Sequence, residues 1–535
     1  MKNNTVAMKV NQANLVKGLK YSFTNRTTVL GELMQNARRA GATQANFEYA
    51  SDTKILKVTD DGCGIESIET LLTVAESGWD ADVVAQEHPF GIGFLSALFA
   101  CNQLSVISKS GKISVDTDDV LSFKPVTVST VEEWDGITSI IMVGYDIQAA
   151  NLAEAIQRLA KGFTIPVTLN GVTVERPHAL DSGLAFIETD IGFMYLDGLE
   201  TPKHPATGYE VYLQGLPIYK SHSYRSDEHV IHLDSSRFYA RLPDRDKLID
   251  QSEAVLLILG ALQSEAEKCL KLFKKTLSAQ DFVKYFETLK HWDLLALLND
   301  VDAVPTEAIT VITSYPVCPN EAYGNFEEHP EKPVSRSAIE NRQVEVVDID
   351  DDIQYDGAAR YMFSWMRGSL VYQGNLDEGH WINSYVRTLS KEGVTVEHVN
   401  ESHYAHFEGS WVYVGVTFCD AYRIKIGIDV VEINNHAFFE GLDNGNVVIM
   451  PKGGLSDAVI EQVATFKSEY DEYQESTHDD DCGKFFSFLV ANTAKDPADA
   501  VRQLLPEFTG CPSLFGKSFV VDIDDVGKVA STTAV

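Results

Sequence analysis

Hydrophobic and polar positions in the first 175 residues alternate between helix-like and strand-like segments. Short apolar or alternating runs predict strands, and longer amphipathic segments predict helices. Strands are predicted at residues 5–10, 45–50, 54–59 and 103–109, and helices at residues 12–23 and 152–163. A further helix is expected from an N-cap at Thr27 or Thr28 to a C-terminal stop at Gly41. Ser51-Asp52 and Asn170-Gly171 predict hairpin turns. The pattern indicates a layer of helices on a mostly antiparallel sheet.

The rest of the chain predicts two further folded regions. Strands are expected around residues 184–197, 209–219 and 229–240, followed by a long helix over 252–277. A stretch rich in Pro, Glu and Asn near residues 315–345 is typical of a linker. We therefore predict an α+β protein, since about three or four domains are expected at this length. The predicted boundaries are 1–175, 176–310, a linker at 311–345, and a mixed α/β domain at 346–535.

The chain is strongly acidic, with a formal net charge of −34, and residues 341–535 carry 14 basic and 32 acidic side chains. Direct binding to nucleic acid is disfavoured, because DNA-binding proteins usually present a basic face. No run of about 18 apolar residues indicates a membrane span. The segment at residues 1–14 lacks the apolar core of a secretion signal, so we expect a cytoplasmic protein. The seven cysteines form no C-x-x-C pair, which gives no sign of a zinc site.

Candidate chemistry begins in the segment GELMQNARRAGAT at residues 31–43. A spacing of four places Glu32 and Asn36 on one face of the predicted helix. This face offers a carboxylate that can polarise water and an amide oxygen that can hold magnesium. The strand KVTD then ends at Asp60, in an Asp-x-Gly-x-Gly turn. Each signal is weak by itself, and their order along the chain is what makes the combination specific.

These segments resemble the nucleotide-binding motifs of the GHKL ATPases, the superfamily of gyrase, heat-shock-ninety chaperones, histidine kinases and MutL. The helix ending in Ala-Gly-Ala-Thr and the turn Asp-x-Gly-Cys-Gly-Ile are similar to MutL. The stretch PFGIGFLSALFACNQLSVISK is similar to the heat-shock-ninety chaperones. The resemblance covers roughly residues 20–145. It implies a Bergerat-type α/β sandwich at residues 1–175 and a transducer-like α/β domain at residues 176–310.

The resemblance also implies roles for individual residues. Glu32 would be the general base, Asn36 the Mg²⁺ ligand, and Asp60 the acceptor of the adenine amino group. Thr138 would match a hydroxyl near adenine. The other residues implied to contact ATP are Gly62, Gly64, Ile65, Phe90, Gly91, Ile92, Gly93 and Phe94. In the second domain Arg245, or alternatively Lys247, would sense the γ-phosphate.

Three residues depart from the family pattern. Arg39 stands where MutL and the chaperones usually have an aspartate, and His88 replaces the first glycine of the chaperone lid hinge. Ile137 separates Gly136 from Thr138, where the family usually has Gly-Thr directly. The departures bear on nucleotide affinity and lid geometry, and they leave the catalytic residues in place.

The expected function is an ATPase that acts as a nucleotide-operated clamp on a protein partner, with ATP and Mg²⁺ as cofactors. A nucleotide-dependent homodimer is expected. The alternatives are a MutL-like DNA-repair factor, a heat-shock-ninety-like chaperone, and a protein that binds ATP without significant turnover. The net charge of −34 weighs against the repair factor, and the chain length is short for such a chaperone.

Overall fold

The structure is a computed structural model of the 535-residue chain. It describes residues 11–19, 27–73, 93–199, 202, 204–223, 227–241, 247–315, 326–349, 359–390, 393–401, 403–410, 413–439, 447–451, 453–454 and 475–535. The strand predicted at residues 5–10 lies outside this set. The chain divides into two compact units, the first formed by residues 1–277 and 287–294 and the second by residues 278–286 and 295–535.

The first unit contains a seven-stranded sheet, the first sheet. Its strands are β1 (Ala45–Ala50), β2 (Ile55–Asp60), β3 (Gln103–Ser108), β4 (Gly111–Asp116), β5 (Thr138–Val143), β6 (Val167–Leu169) and β7 (Val172–Thr173). Their order is β4-β3-β5-β2-β1-β6-β7, and neighbours are antiparallel except β1 and β6. Both predicted hairpins are confirmed, because β1 pairs with β2 and β6 with β7 across the expected turns.

Helices pack on the inward face of the first sheet. They are α1 (Gln12–Leu19), α2 (Thr28–Arg39), α3 (Ile68–Leu72), α4 (Leu95–Ala100), α5 (Thr117–Leu121) and α6 (Ala149–Ala160). Apolar side chains of α2, α4 and α6 form one core with alternate residues of the strands, such as Leu56 and Val58 in β2. Lys57 and Thr59, between and after them, are only half-buried, as the two-residue period of a strand requires. The predicted α+β class is confirmed.

The end of α2 is set by a glycine. The helix stops at Arg39, and Gly41 has a φ of +70°. A residue without a Cβ adopts this left-handed conformation at little cost, so Gly41 turns the chain towards β1. The predicted helix stop is therefore confirmed, and it matters because the residues just after α2 contact the turn that follows β2.

A second sheet completes the described part of the first unit. Its strands are β8 (Ile187–Thr189), β9 (Gly192–Tyr195), β10 (Gly208–Leu213), β11 (Leu216–Lys220) and β12 (Glu228–Leu233), in the order β11-β10-β12-β9-β8. The predicted long helix is confirmed as α7 (Gln251–Thr276), which buries Ala254, Ile258, Leu262, Ala266 and Leu270. These residues recur every four positions, so they form one stripe of the helix.

The second unit is also a mixture of sheets and helices. Its strands are Ala303–Val304, Ile309–Ile312, Glu327–Glu328, Val334–Ser335, Val346–Ile349, Leu370–Tyr372, Val386–Leu389, Val394–Val399, His403–Glu408, Tyr413–Cys419, Ala421–Ile426, Asp429–Ile433, Phe438–Phe439, Val447–Pro451, Phe519–Ile523 and Val529–Ala534. Its α-helices are Ala279–Phe282, Arg336–Glu340, Ala359–Arg367, Glu475–Thr493 and Pro497–Leu504, and Phe286–His291 spans the boundary between the units. The 3₁₀ helices are Val283–Tyr285, Leu295–Leu298, Thr306–Ala308, Trp381–Ser384 and Pro512–Leu514.

The described part of the segment predicted as a linker, residues 311–315 and 326–345, contains regular secondary structure. Glu327–Glu328 pairs with Ile309–Ile312, and Val334–Ser335 pairs with Ala303–Val304. Ile339, in the helix Arg336–Glu340, is buried in a core cluster. Its Pro and Glu content suggested a linker, yet a few well-placed apolar residues are enough to anchor this segment to its unit.

Candidate functional site

Three polar side chains lie side by side at one end of the first sheet. Asp60 is the last residue of β2, Thr138 the first of β5 and Ser108 the last of β3. The register places Asp60 opposite Thr138, whose hydroxyl oxygen lies 3.0 Å from that of Ser108. Each continues the alternation of inward-facing apolar residues in its strand, so all three face the helical layer. A polar patch therefore interrupts an otherwise apolar face.

The turn after β2 lies close against the end of α2. The Cys63 N–H donates to the carbonyl oxygen of Ala40 over 2.8 Å. A Cβ on Gly62 would lie 2.5 Å from that of Ala40, and one on Gly64 would lie 2.9 Å from the Trp134 ring. Gly64 also has a φ of +76°. The two predicted glycines are thus required by close contact, and at Gly64 by backbone conformation as well.

The far side of this turn is fixed by β3 and by the loop before β5. The Ile65 N–H donates to the Ser108 Oγ over 2.8 Å. Trp134, which covers Gly64, donates its Nε1–H to the carbonyl oxygen of Ile137 over 2.8 Å. Ile137 separates Gly136 from Thr138, and its carbonyl oxygen holds this indole ring.

The two adjacent carboxylates of the turn have opposite electrostatic environments. Asp60 accepts the Gly62 N–H over 3.1 Å, but desolvation dominates and raises the pKa of Asp60 above its ordinary value. For Asp61 desolvation also acts to raise the pKa, but hydrogen bonds from Thr43 and Gln44 outweigh it and lower the Asp61 pKa below its ordinary value. Asp61 thus stabilises the loop at Thr43 and Gln44 through hydrogen bonds. Burial of the Asp60 carboxylate instead disfavours its charged form, which is typical of binding residues.

The N-terminal half of α2 carries Glu32. This residue is only 6% exposed, and its carboxyl carbon would lie 2.8 Å from a Cβ on Gly93, so the carboxylate rests against the Gly93 backbone. Asn36 follows one helical turn later and is half-buried. Eight residues separate Glu32 from Ala40, which corresponds to about 12 Å along the helix axis. Glu32 and the turn after β2 therefore lie about 12 Å apart along one helix.

The remaining predicted site residues fall into three groups. Phe94 follows Gly93 and packs, partly buried, on the core of the first sheet. Phe90, Gly91, Ile92 and Arg245, together with His88, lie outside the described residues. Lys247 is exposed, and its carbonyl oxygen accepts the Arg241 N–H over 2.7 Å. Among the contacts of the described residues, none joins the Lys247 ammonium group to Glu32, so its phosphate-sensing role stays a prediction.

Two contacts of this region were not predicted. One is the bond from Ile65 to Ser108: the period of β3 indicates that Ser108 faces inward, but its partner depends on the strand order. The other joins α2 to the second sheet: the Gln35 Nε2–H donates to the carbonyl oxygen of Gln214 over 2.9 Å. Gln35 is 1% exposed, and Gln214 lies in the β10–β11 turn with a φ of +53°. Arg39, which departs from the pattern that the sequence resembles, is half-buried.

A cluster of possible metal ligands combines His178 with two glutamates of the second sheet. Ligand atoms of His178, Glu210 and Glu228 all fall within 4.8 Å of one another. Lys161 and Lys220 already neutralise the two carboxylates, with Lys–Glu228 distances of 2.7 and 2.6 Å. Desolvation lowers the pKa of His178 to about 4, so the ring is neutral at pH 7. Two ammonium groups among the oxygen atoms make this cluster a charge-balanced network rather than a cation site.

The chain matches no protein-family model and no curated protein. Within the part of the chain that the structure describes, no helix combines the length and apolar character needed to cross a bilayer. Support for a function therefore rests on the geometry around α2, and the acidic composition adds a constraint on the partner.

Proposed function

We propose that the chain binds Mg²⁺-ATP along α2 and hydrolyses it to ADP and phosphate. The observation that supports this most is the arrangement of polar groups at two separated points along this helix. Asp60 and Thr138 lie at one of these points and are suited to bind the adenine base. Glu32, which rests against the backbone of Gly93, lies at the other point and is suited to act on the terminal phosphate. A nucleoside triphosphate needs recognition of this kind at two separated points.

The residues present fit the proposed cofactors. Asp60 would accept the adenine amino group, and the close contacts of Gly62 with Ala40 and of Gly64 with Trp134 hold the turn in place beside it. The amide oxygen of Asn36 is a hard ligand of the type that Mg²⁺ prefers. The ion would neutralise charge on the phosphates when bound. Glu32 would orient the attacking water and take its proton, since phosphoryl transfer depends mainly on positioning and electrostatic stabilisation.

We further propose that ATP operates the chain as a clamp on a protein partner through nucleotide-dependent homodimerisation. The bond from Gln35 to Gln214 supports coupling, because it joins the nucleotide helix to the second sheet. Leu216 of β11 would also lie 3.5 Å from a Cβ on Gly31. A ligand that favours one arrangement of these elements shifts their population. The net charge of −34 favours a protein partner over nucleic acid, so MutL-like repair is the weaker alternative, beside a chaperone-like role.

ATP is expected to protect Cys63 from alkylation. Cys63 is exposed in the Asp-x-Gly-x-Gly turn, where the proposed base binds. At an ATP concentration tenfold above the Kd, the alkylation rate should fall about tenfold, since only the unbound fraction reacts. The rate is measured by peptide mass spectrometry after timed exposure to iodoacetamide, with Mg²⁺ present throughout.

Cys511 is the internal control for this experiment, because it is also exposed but lies in the second unit. Its rate should not change with ATP. An unchanged alkylation rate of Cys63 at saturating ATP would contradict the proposed adenine-binding site. Equal slowing at both cysteines would show a general effect of ATP on the reagent.

A non-hydrolysable ATP analogue with Mg²⁺ is expected to double the molar mass from 59.2 kDa. The γ-phosphate contacts that ADP cannot make would favour the dimer. Light scattering after size-exclusion chromatography measures the mass, with ADP as the matched control. A monomeric mass at a saturating analogue concentration would rule out the clamp and leave ATP binding and hydrolysis to the other experiments.

A further inference from the structure

Ser108 and Thr138 form a buried pair of hydroxyl groups at the ends of β3 and β5. Ser108 is 0% and Thr138 4% exposed. Their oxygen atoms lie 3.0 Å apart, and either can be the donor. The Ser108 Oγ also accepts the Ile65 N–H over 2.8 Å. Each hydroxyl group has one proton, and only one of the two protons can lie between the two oxygen atoms.

The second proton has no acceptor among the residues that the structure describes. Buried hydroxyl groups normally satisfy their hydrogen-bonding capacity. Since the Ser108 Oγ already accepts an amide hydrogen, its own proton is best directed to Thr138. The proton of Thr138 then remains for a ligand, beside Asp60 on the neighbouring strand.

We propose that Ser108 is a positioning residue that makes the base site select an adenine-type edge over guanine. This inference rests on the proposed ATP-binding function. The ionised carboxylate of Asp60 is an acceptor, and the Thr138 hydroxyl, oriented by Ser108, is a donor. Adenine presents an amino donor next to a ring-nitrogen acceptor, which complements this order. Guanine presents a carbonyl acceptor next to a ring N–H donor, which is the reverse order.

Ser108 acts on the site in a second way. Its hydroxyl holds the Ile65 N–H and thereby fixes the turn that contains Gly62 and Gly64. Glu32 lies in the N-terminal half of α2, about 12 Å along the axis from the residue that contacts this turn. Loss of the Ser108 hydroxyl therefore affects recognition of the base and leaves the chemical step unchanged.

The test compares Ser108→Ala with Ser105→Ala in the full chain. Ser105 lies on the same strand but on the opposite face, where its hydroxyl donates to the Ser114 Oγ over 2.9 Å. The variant Ser108→Ala should raise the KM for ATP roughly tenfold, as expected for one lost hydrogen bond. The ratio of kcat/KM for ATP over GTP should fall by a similar factor, while kcat stays within about twofold. Ser105→Ala should match the wild type in both.

The outcomes separate this inference from the function on which it rests. Binding of neither ATP nor GTP by the wild type would mean that the proposed function fails. Normal ATP preference in Ser108→Ala would overturn the role of Ser108 alone. Thermal unfolding without ligand checks folding, and Ser108→Cys, whose thiol is only a weak hydrogen-bonding group, is the second variant if alanine is not tolerated. A wild type that binds ATP and 1-deaza-ATP, which lacks the ring-nitrogen acceptor, equally well would also overturn the inference.

Discussion

Replacing Glu32 by glutamine is expected to reduce ATP turnover by roughly 10²–10⁴-fold, the usual contribution of a general base. Glutamine keeps the shape of the side chain, which matters because Glu32 is 6% exposed and rests against Gly93. It removes the carboxylate that would take a proton from the attacking water. The affinity for Mg²⁺-ATP should stay within a few-fold of the wild type. Phosphate release at saturating ATP measures the first quantity, and ligand titration the second.

The matched control is Glu48→Gln, the same chemical change on the outer face of the first sheet. Glu48 is exposed and forms an ion pair with Lys57 at 3.4 Å, so its loss should leave turnover unchanged. If Glu32→Gln binds ATP and hydrolyses it at the wild-type rate, Glu32 is not the general base. A wild type that binds ATP without measurable turnover would instead support the alternative of binding alone.

The parts of the fold and site that could be predicted depend on local sequence. The helix around Glu32, the hairpin after Ala50 and the stop at Gly41 follow from periodicity and glycine conformation. The turn Asp-x-Gly-x-Gly also follows from local sequence, since Gly64 has a φ of +76°. In each case the physical cause lies within a few residues of its effect.

The contacts that could not be predicted depend on residues far apart in the chain. Gln35 donates to Gln214, 179 positions away, and nothing in the sequence near either residue indicates this pairing. Ser108 reaches Ile65 because the strand order sets β5 between β2 and β3. The packing of Gly93 on Glu32 likewise needs tertiary structure. Sequence reasoning therefore proposed the reacting groups but missed the residues that hold them in position.

Replacing Asp60 by asparagine is expected to lower the affinity for ATP by roughly 10–100-fold, which corresponds to one lost charge-assisted hydrogen bond. An amide oxygen can still accept the Gly62 N–H, which lies 3.1 Å from the Asp60 Oδ1. The turn should therefore survive while the strong acceptor for the adenine amino group is lost. The readout is the increase in melting temperature on adding Mg²⁺-ATP, which should largely disappear.

The unliganded variant should be at least as stable as the wild type at neutral pH. Desolvation raises the pKa of Asp60 in the folded chain. A raised carboxyl pKa gives stability that is fully present below the unfolded pKa and is lost as pH rises through the folded pKa. At pH 7 the ionised Asp60 thus destabilises the folded state, and asparagine removes this cost. Affinity of the wild type for ATP should correspondingly fall as acidification protonates Asp60.

Asp61→Asn provides the opposite case one residue away. Hydrogen bonds from Thr43 and Gln44 outweigh desolvation and lower the pKa of Asp61, so its stabilising effect is present at neutral pH and lost as pH falls through its folded value. This variant should melt at a lower temperature than the wild type but keep its response to ATP. If Asp60→Asn retained the full ATP response, the base would not bind at this turn. If both variants had a lower melting temperature and also a smaller increase on adding ATP, Asp60 would be a structural residue. A binding role for Asp60 predicts loss of the ATP response without loss of stability.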